Sequence, residues 1–152
     1  MRAAGNYGVD EVIFTGTRYQ KALASNPNIP NISRRISEGV LLNGVECLLT
    51  SLSSGTRIVC VEFAENAIAL PSYQHPENAC YIFGPEDGSL SQSIIDKADD
   101  VVYIPTHGCM NLAATVNVLL YDRMLKSSQI ILDNTLIQRS RDTNNNLKVR
   151  DK

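Results

Sequence analysis

No apolar run in this sequence approaches the ~20 residues that a membrane-spanning helix needs, so the chain reads as a non-membrane protein. Arg2 is followed by no apolar stretch of the signal-peptide kind. The four cysteines, at 47, 60, 80 and 109, form no C-x-x-C pair. Zinc-ribbon and thioredoxin-like motifs are therefore missing, and no metal is expected. We read these thiols as reduced and mostly buried, in a cytoplasmic protein. An excess of basic residues is missing too: the formal net charge is -2, which argues against a general nucleic-acid binder.

What is present is ordinary for a globular domain. The chain has 152 residues, 43% of them hydrophobic and 20% charged, enough for one domain with a core that needs no staples. Charge is unevenly spread. Residues 1–38 carry five basic and three acidic groups, residues 39–122 carry two and ten, and residues 123–152 carry seven and three. Both ends are basic and the centre is acidic. Two readings stand: a solvated surface with a basic tail, or two ends converging on a face that meets a phosphate backbone.

The stretch Tyr81 to Asp122 concentrates the interpretable chemistry. Cys80 to Phe83 is a short apolar run stopped by Gly84-Pro85, and Val101 to Ile104 is another stopped by Pro105; both read as buried strands. Between them, Ser91 is placed to cap a helix running to about Ala98. After Pro105 a loop leads to Asn111, which opens a long apolar helix reaching about Leu125. Strand, loop, helix, repeated, predicts a parallel α/β sheet, in which ligands bind beyond the carboxyl ends of the strands. Further strands are expected at Val12 to Thr15 and Arg57 to Phe63. Val45 to Leu49 fits a strand or a short helix. Arg2 to Tyr7 reads as the end of a helix stopped by Gly8. Helix is disfavoured after about Ala24 by Pro27 and Pro30. His75, in the polar loop Ser72 to Asn78, is expected to face solvent.

FGPEDGSLS, then a strand ending in IP, a loop, and MNL opening a helix that ends in LLYD resemble motifs 2 and 3 of the SpoU (TrmH-type) RNA ribose 2′-O-methyltransferases of the SPOUT superfamily. MRAAGNYGVDEVIFTG resembles the second half of their motif 1. The resemblance covers roughly Met1 to Arg123. It implies a parallel-sheet fold with a C-terminal deep trefoil knot, a homodimer, S-adenosyl-L-methionine as cofactor, and tRNA or rRNA as substrate. The family's first strand and Asn-containing loop have no counterpart here; a truncated chain and a reduced sheet are both consistent with that. A SpoU-type domain is expected over residues 1–128 and a polar, partly disordered tail over 129–152. The tail is either RNA-contacting or merely mobile.

Site residues follow from both readings. The resemblance makes Arg2, Glu86 and Asn111 the candidate catalytic group. Arg2 suits a phosphate flanking the target ribose better than the role of base, because a guanidinium stays protonated. For the cofactor, Val61, Glu62 and Phe63 end the Arg57 strand, and Glu62 has the chemistry to accept from a ribose diol. Gly84 leaves room for a ligand against the backbone. Ile104, Cys109, Met110 and Leu112 offer a flat apolar slot for adenine. Where the family's third motif has two serines, this chain has Cys109 and Ala113. Arg18, Arg34 and Arg35 are candidate RNA contacts, against the plainer reading of a surface loop with incidental charge. The competing functional class is a degenerate SPOUT-like module that binds RNA or cofactor without turnover.

Overall fold

The computed structural model of the protein describes residues 1–25, 39–85, 87–127, 130, 132–141 and 143–150. Helix α1 (Arg2–Asn6) is followed by Gly8 at φ 65°, a left-handed conformation that glycine adopts without steric cost. Strand β1 (Glu11–Phe14) pairs in parallel with β2 (Leu41–Gly44), Glu11 opposite Leu41. Helix α2 (Thr17–Ser25) lies between them in sequence, ahead of the prolines at 27 and 30. The main sheet has four strands: β3 (Arg57–Val61), β4 (Ile68–Ala69), β5 (Ala79–Phe83) and β6 (Asp100–Tyr103), in the order β4-β6-β3-β5. Every pairing is parallel, as the alternation of strand and helix signals predicted.

A parallel sheet covered on both faces needs strands that are apolar at consecutive positions. β3 reads RIVCV and supplies them. Val59 and Val61 point to the same face as Val102 and pack with Leu119 and Leu120 of helix α4 (Leu112–Lys126), and with Leu70 and Tyr73. Cys60 and Ile82 stand opposite each other in the ladder and are buried outside that cluster, on the other face. Burial pushes the Cys60 thiol up to about 11, which leaves it protonated and inert. The expectation of mostly buried cysteines is corrected at two positions: Cys47 and Cys109 are exposed, because both sit in loops rather than strands.

Other differences have local causes. The undecided segment Val45 to Leu49 is neither strand nor helix; the strand is β2, just before it. Thr50 and Ser51 turn their hydroxyls onto the Cys47 carbonyl and fold the chain there, at 3.3 and 2.9 Å. The helix expected to reach Ala98 is shorter: α3 covers Gln92–Ile95. Ser91 Oγ meets Ser93 Oγ at 3.0 Å instead of capping the backbone, and the turns at Lys97 and Ala98 close by i to i+3 bonds. Near the C-terminus a helix not anticipated from sequence, α5 (Asn134–Ser140), is capped by Asp133, whose Oδ1 accepts from the Leu136 amide at 2.9 Å.

His75 is the clearest reversal. Its side chain is 4% exposed, not solvent-facing. Arg123 Nη1 donates to the Tyr81 hydroxyl at 2.8 Å, so the Tyr81 proton goes to His75 Nδ1 at 2.7 Å. His75 Nε2–H then donates to Asp122 Oδ2 at 2.9 Å, which also receives Lys126 Nζ at 2.7 Å. With burial disfavouring the charged ring, this arrangement fits a neutral imidazole with its proton on Nε2. Arg123 and Lys126 extend the network to the carbonyls of Pro76, Glu77, Leu70 and Tyr73. The last turns of α4 are thereby fastened to the segment between β4 and β5.

Burial lowers the His75 pKa below its usual value, outweighing the opposing hydrogen bond to Asp122. The unfolded chain then binds a proton before the folded one does. The stability is fully present above the unfolded pKa of about 6.5 and is lost as pH falls from there toward the lower folded value. The urea midpoint of the wild-type protein should hold between about pH 8 and 7 and decline below about 6.5. His75→Gln should be less stable at neutral pH but lose much of that decline between about pH 7 and 5.5, and equal slopes for the two proteins would contradict the assignment.

Candidate active-site cleft

Because all four strands of the main sheet run the same way, their carboxyl ends collect at one edge. β3 delivers Val61, Glu62 and Phe63 there, β5 delivers Phe83, Gly84 and Pro85, and β6 delivers Tyr103 and Ile104. The loop after β6 and the first turn of α4 close the far side. The result is a cleft of about 320 Å³, at the small end of the range for ligand sites.

Glu62 fastens two walls of this cleft. Its Oε1 accepts from the Phe63 amide at 2.9 Å and its Oε2 from the Leu90 amide at 3.0 Å. The second bond pulls the loop after β5 back toward β3. Gly84 makes that approach possible: a Cβ there would lie 3.3 Å from the Leu90 nitrogen and 3.4 Å from Glu62 Oε2. Across the cleft, Thr106 Oγ1 donates to the Gly108 carbonyl at 2.8 Å and tightens the loop that carries Cys109 and Met110. Asn111 Oδ1 caps α4 by accepting from the Ala114 amide at 2.8 Å, and Thr115 Oγ1 returns to the Asn111 carbonyl at 3.0 Å. The start of α4 is therefore well defined where it meets the cleft.

The eight residues singled out from sequence for the cofactor, Val61, Glu62, Phe63, Gly84, Ile104, Cys109, Met110 and Leu112, all line this one cleft. The candidate catalytic residues are not gathered in the same way. Asn111 sits between two lining residues and uses its side-chain oxygen on the helix cap. Arg2 is exposed at the start of α1 and is not part of the cleft wall. Glu86, Arg34 and Arg35 lie outside the described residues, as does the side chain of Arg18, which falls in α2. Sequence reasoning missed Phe83, Tyr103, Ser89 and Thr115 as lining residues. Phe83 and Tyr103 had a usable signal, since each is the last residue of a strand that stops at a Gly-Pro or a following proline. Ser89 had none; it reaches the cleft only because Glu62 holds the neighbouring Leu90.

Glu62 is the only charged residue lining the cleft among those described, and neither lysine nor arginine lines it. Among the described residues no group of three or more His, Cys, Asp or Glu is placed to hold a metal ion. Likewise, no helix among them is long and apolar enough to cross a membrane.

The sequence model of the SpoU rRNA methylase family matches residues 1–121. The chain belongs to the SpoU rRNA methylase family. Solved structures of similar fold include the A. aeolicus TrmH/SpoU tRNA modifying enzyme, at TM-score 0.63 and 15% identity over 82% of this chain and 65% of that one. An AdoMet-bound rRNA methyltransferase from Sinorhizobium meliloti superposes at TM-score 0.61 and 15% identity, over 82% and 49% of the two chains. An RNA 2′-O ribose methyltransferase does so at 0.59 and 18% identity, over 82% and 49%. This SpoU-family chain spans 65% of the length of the first of these and about half that of the others. No curated protein matches it significantly in sequence. At these identities the likeness establishes the fold.

Gly84→Val should lower the free energy of unfolding by about 1–3 kcal/mol, because the added atoms meet backbone at Leu90 and the carboxylate that fastens it. Gly88→Ala, whose Cβ would stand 3.4 Å from Pro85 Cγ, should change it by less than about 0.5 kcal/mol. Urea unfolding of the two variants checks this; equal effects would mean that Gly84 is not a site of close approach.

Proposed function

We propose that this chain is an S-adenosylmethionine-dependent RNA methyltransferase that acts on a ribose 2′-hydroxyl of tRNA or rRNA. The observation that carries the reading is the single cleft formed by the eight residues proposed for the cofactor. Its chemistry fits that group. Ile104, Met110 and Leu112 give an apolar slot of the kind adenine needs, and Gly84 lets a ligand lie against the backbone. A phosphate-bearing nucleotide would find no basic partner on the described wall. The parallel sheet and the structural relatives, among them an AdoMet-bound rRNA methyltransferase and an RNA 2′-O ribose methyltransferase, support the same reading.

When bound, the cofactor supplies an electrophilic methyl group. The work of the chain's own residues is to align the two reactants and let the hydroxyl proton leave. In this reading Glu86 and Asn111 position the acceptor, and Arg2 holds a flanking phosphate in its planar fork. Arg18, Arg34 and Arg35, with the basic C-terminal segment, offer further phosphate contacts. The finer architecture belongs to the same proposal: a trefoil knot formed by the chain after Asp122, and a homodimer built on α4. Val118, Tyr121 and Leu125 form an exposed apolar stripe on that helix, with Tyr121 and Leu125 each 49% exposed. A stripe of this kind is a natural association surface.

The exposure of Arg2 away from the cleft wall favours a second reading, a module that binds RNA or cofactor without turnover. Labelled S-adenosylmethionine with total tRNA and rRNA separates the two. Turnover is expected, with the label on a ribose oxygen. Arg2→Lys should then cut the rate at least about tenfold while calorimetric affinity for S-adenosylhomocysteine holds, since loss of fork geometry misplaces the acceptor. Cofactor binding without any transfer would select the second reading.

Assembly is checked independently. Light scattering at micromolar concentration should give a dimer, and Tyr121→Glu with Leu125→Glu should give a monomer. A wild-type monomer would remove α4 as an interface.

A further inference from the structure

The lining of the cleft also bears on which charge state of its ligand it prefers, an inference that rests on the function proposed above. Glu62 brings a carboxylate into the cleft wall, and among the described residues it has no ion-pair partner. The groups that hold it are two backbone amides, which fix its position without cancelling its charge. Three aromatic rings, those of Phe63, Phe83 and Tyr103, line the same space. Phe63 is 49% exposed, and its backbone amide is held by the Glu62 carboxylate. Its ring centroid lies 6.0 Å from that of Tyr103, tilted by 41°. Aromatic faces carry negative charge density and attract cations with apolar substituents. A carboxylate and aromatic rings, with neither lysine nor arginine on the described wall, are the chemistry that recognises a small organic cation.

We propose that Glu62, assisted by Phe63 and Tyr103, makes the cleft select the positively charged sulfonium form of the cofactor over its neutral thioether product. In the transfer, the ribose oxygen gains the methyl group and releases its proton to solvent, the sulfur–methyl bond breaks, and the sulfur keeps the electron pair. The positive charge on sulfur disappears in that step. The attraction to Glu62 disappears with it, so the spent cofactor leaves more readily than the fresh one. This assigns Glu62 a part in turnover as well as in holding the loop at Leu90.

The test is a ratio of affinities, because a merely loosened loop would weaken both ligands together. S-adenosylmethionine and S-adenosylhomocysteine are titrated by calorimetry into the wild-type chain, Glu62→Gln and Phe63→Leu. The wild type should bind the sulfonium about tenfold more tightly, the order expected for one charge pair across a partly shielded cleft. Glu62→Gln should bring the two affinities within about twofold of each other. A wild-type preference below about twofold, or a preference that survives Glu62→Gln while both affinities drop, overturns the proposal and leaves Glu62 as a loop fastening. If Glu62→Gln does not fold, Phe63→Leu carries the test: it keeps Glu62 and an apolar side chain but loses the aromatic face, and should reduce the ratio about threefold. An unchanged ratio in that variant then counts against the proposal. Failure of the wild type to bind either compound would instead bring down the function proposed above.

Discussion

Asp122 accepts a hydrogen bond from His75 and an ion pair from Lys126 through the same oxygen, and the rest of the structure leans on that arrangement. Three polar residues in the last turns of α4, Asp122, Arg123 and Lys126, are drawn to a part of the chain 42 or more residues earlier. Each would be costly to cover without partners, since an unsatisfied buried polar group costs about 1–3 kcal/mol. Here they satisfy one another and four backbone carbonyls. The same helix buries Leu119 and Leu120 against the sheet and begins at the cleft, where Asn111 caps it. One rigid element thus joins the polar fastening, the apolar core and the floor of the candidate site.

The cleft itself follows from strand direction. Parallel strands bring their carboxyl ends together whatever their side chains, and loops at that edge inherit the position. Sequence then decides what the loops can do. Gly84 allows two walls to approach, Glu62 fastens them, and Cys109 leaves an exposed thiol in the lining. The family assignment rests on a match over residues 1–121, and the architecture agrees with it.

Much of this was legible in the sequence. The strands around Ile13, Val59, Ile82 and Val102 are short apolar runs, each bounded on at least one side by glycine or proline, and a signal of that kind is local. That the eight residues proposed for the cofactor would share one edge was legible, because residues at successive strand ends must converge in a parallel sheet. His75 was not legible. A histidine in a polar loop gives no hint of burial; only the three-dimensional approach of Tyr81 and Asp122, six and 47 residues away, makes that position dry. The dual bonding of Glu62 was hidden for the same reason, as Leu90 lies 28 residues further on. The strand in place of Val45 to Leu49 was misjudged because β1 is only four residues long and its partner is used up at Gly44.

The shortness of β4 has its own consequence. An open sheet ends in a row of unpaired amides and carbonyls, a ready template for a strand from another molecule. On the β6 side that edge is two residues, Ile68 and Ala69. The chain turns at once into the tight helical turn Leu70–Ser72, whose Pro71 has no amide hydrogen to offer. An incoming strand could gain only a bond or two before meeting a residue that cannot donate. The outer margin of the sheet is thus shielded against edge-to-edge aggregation by its brevity and by one proline.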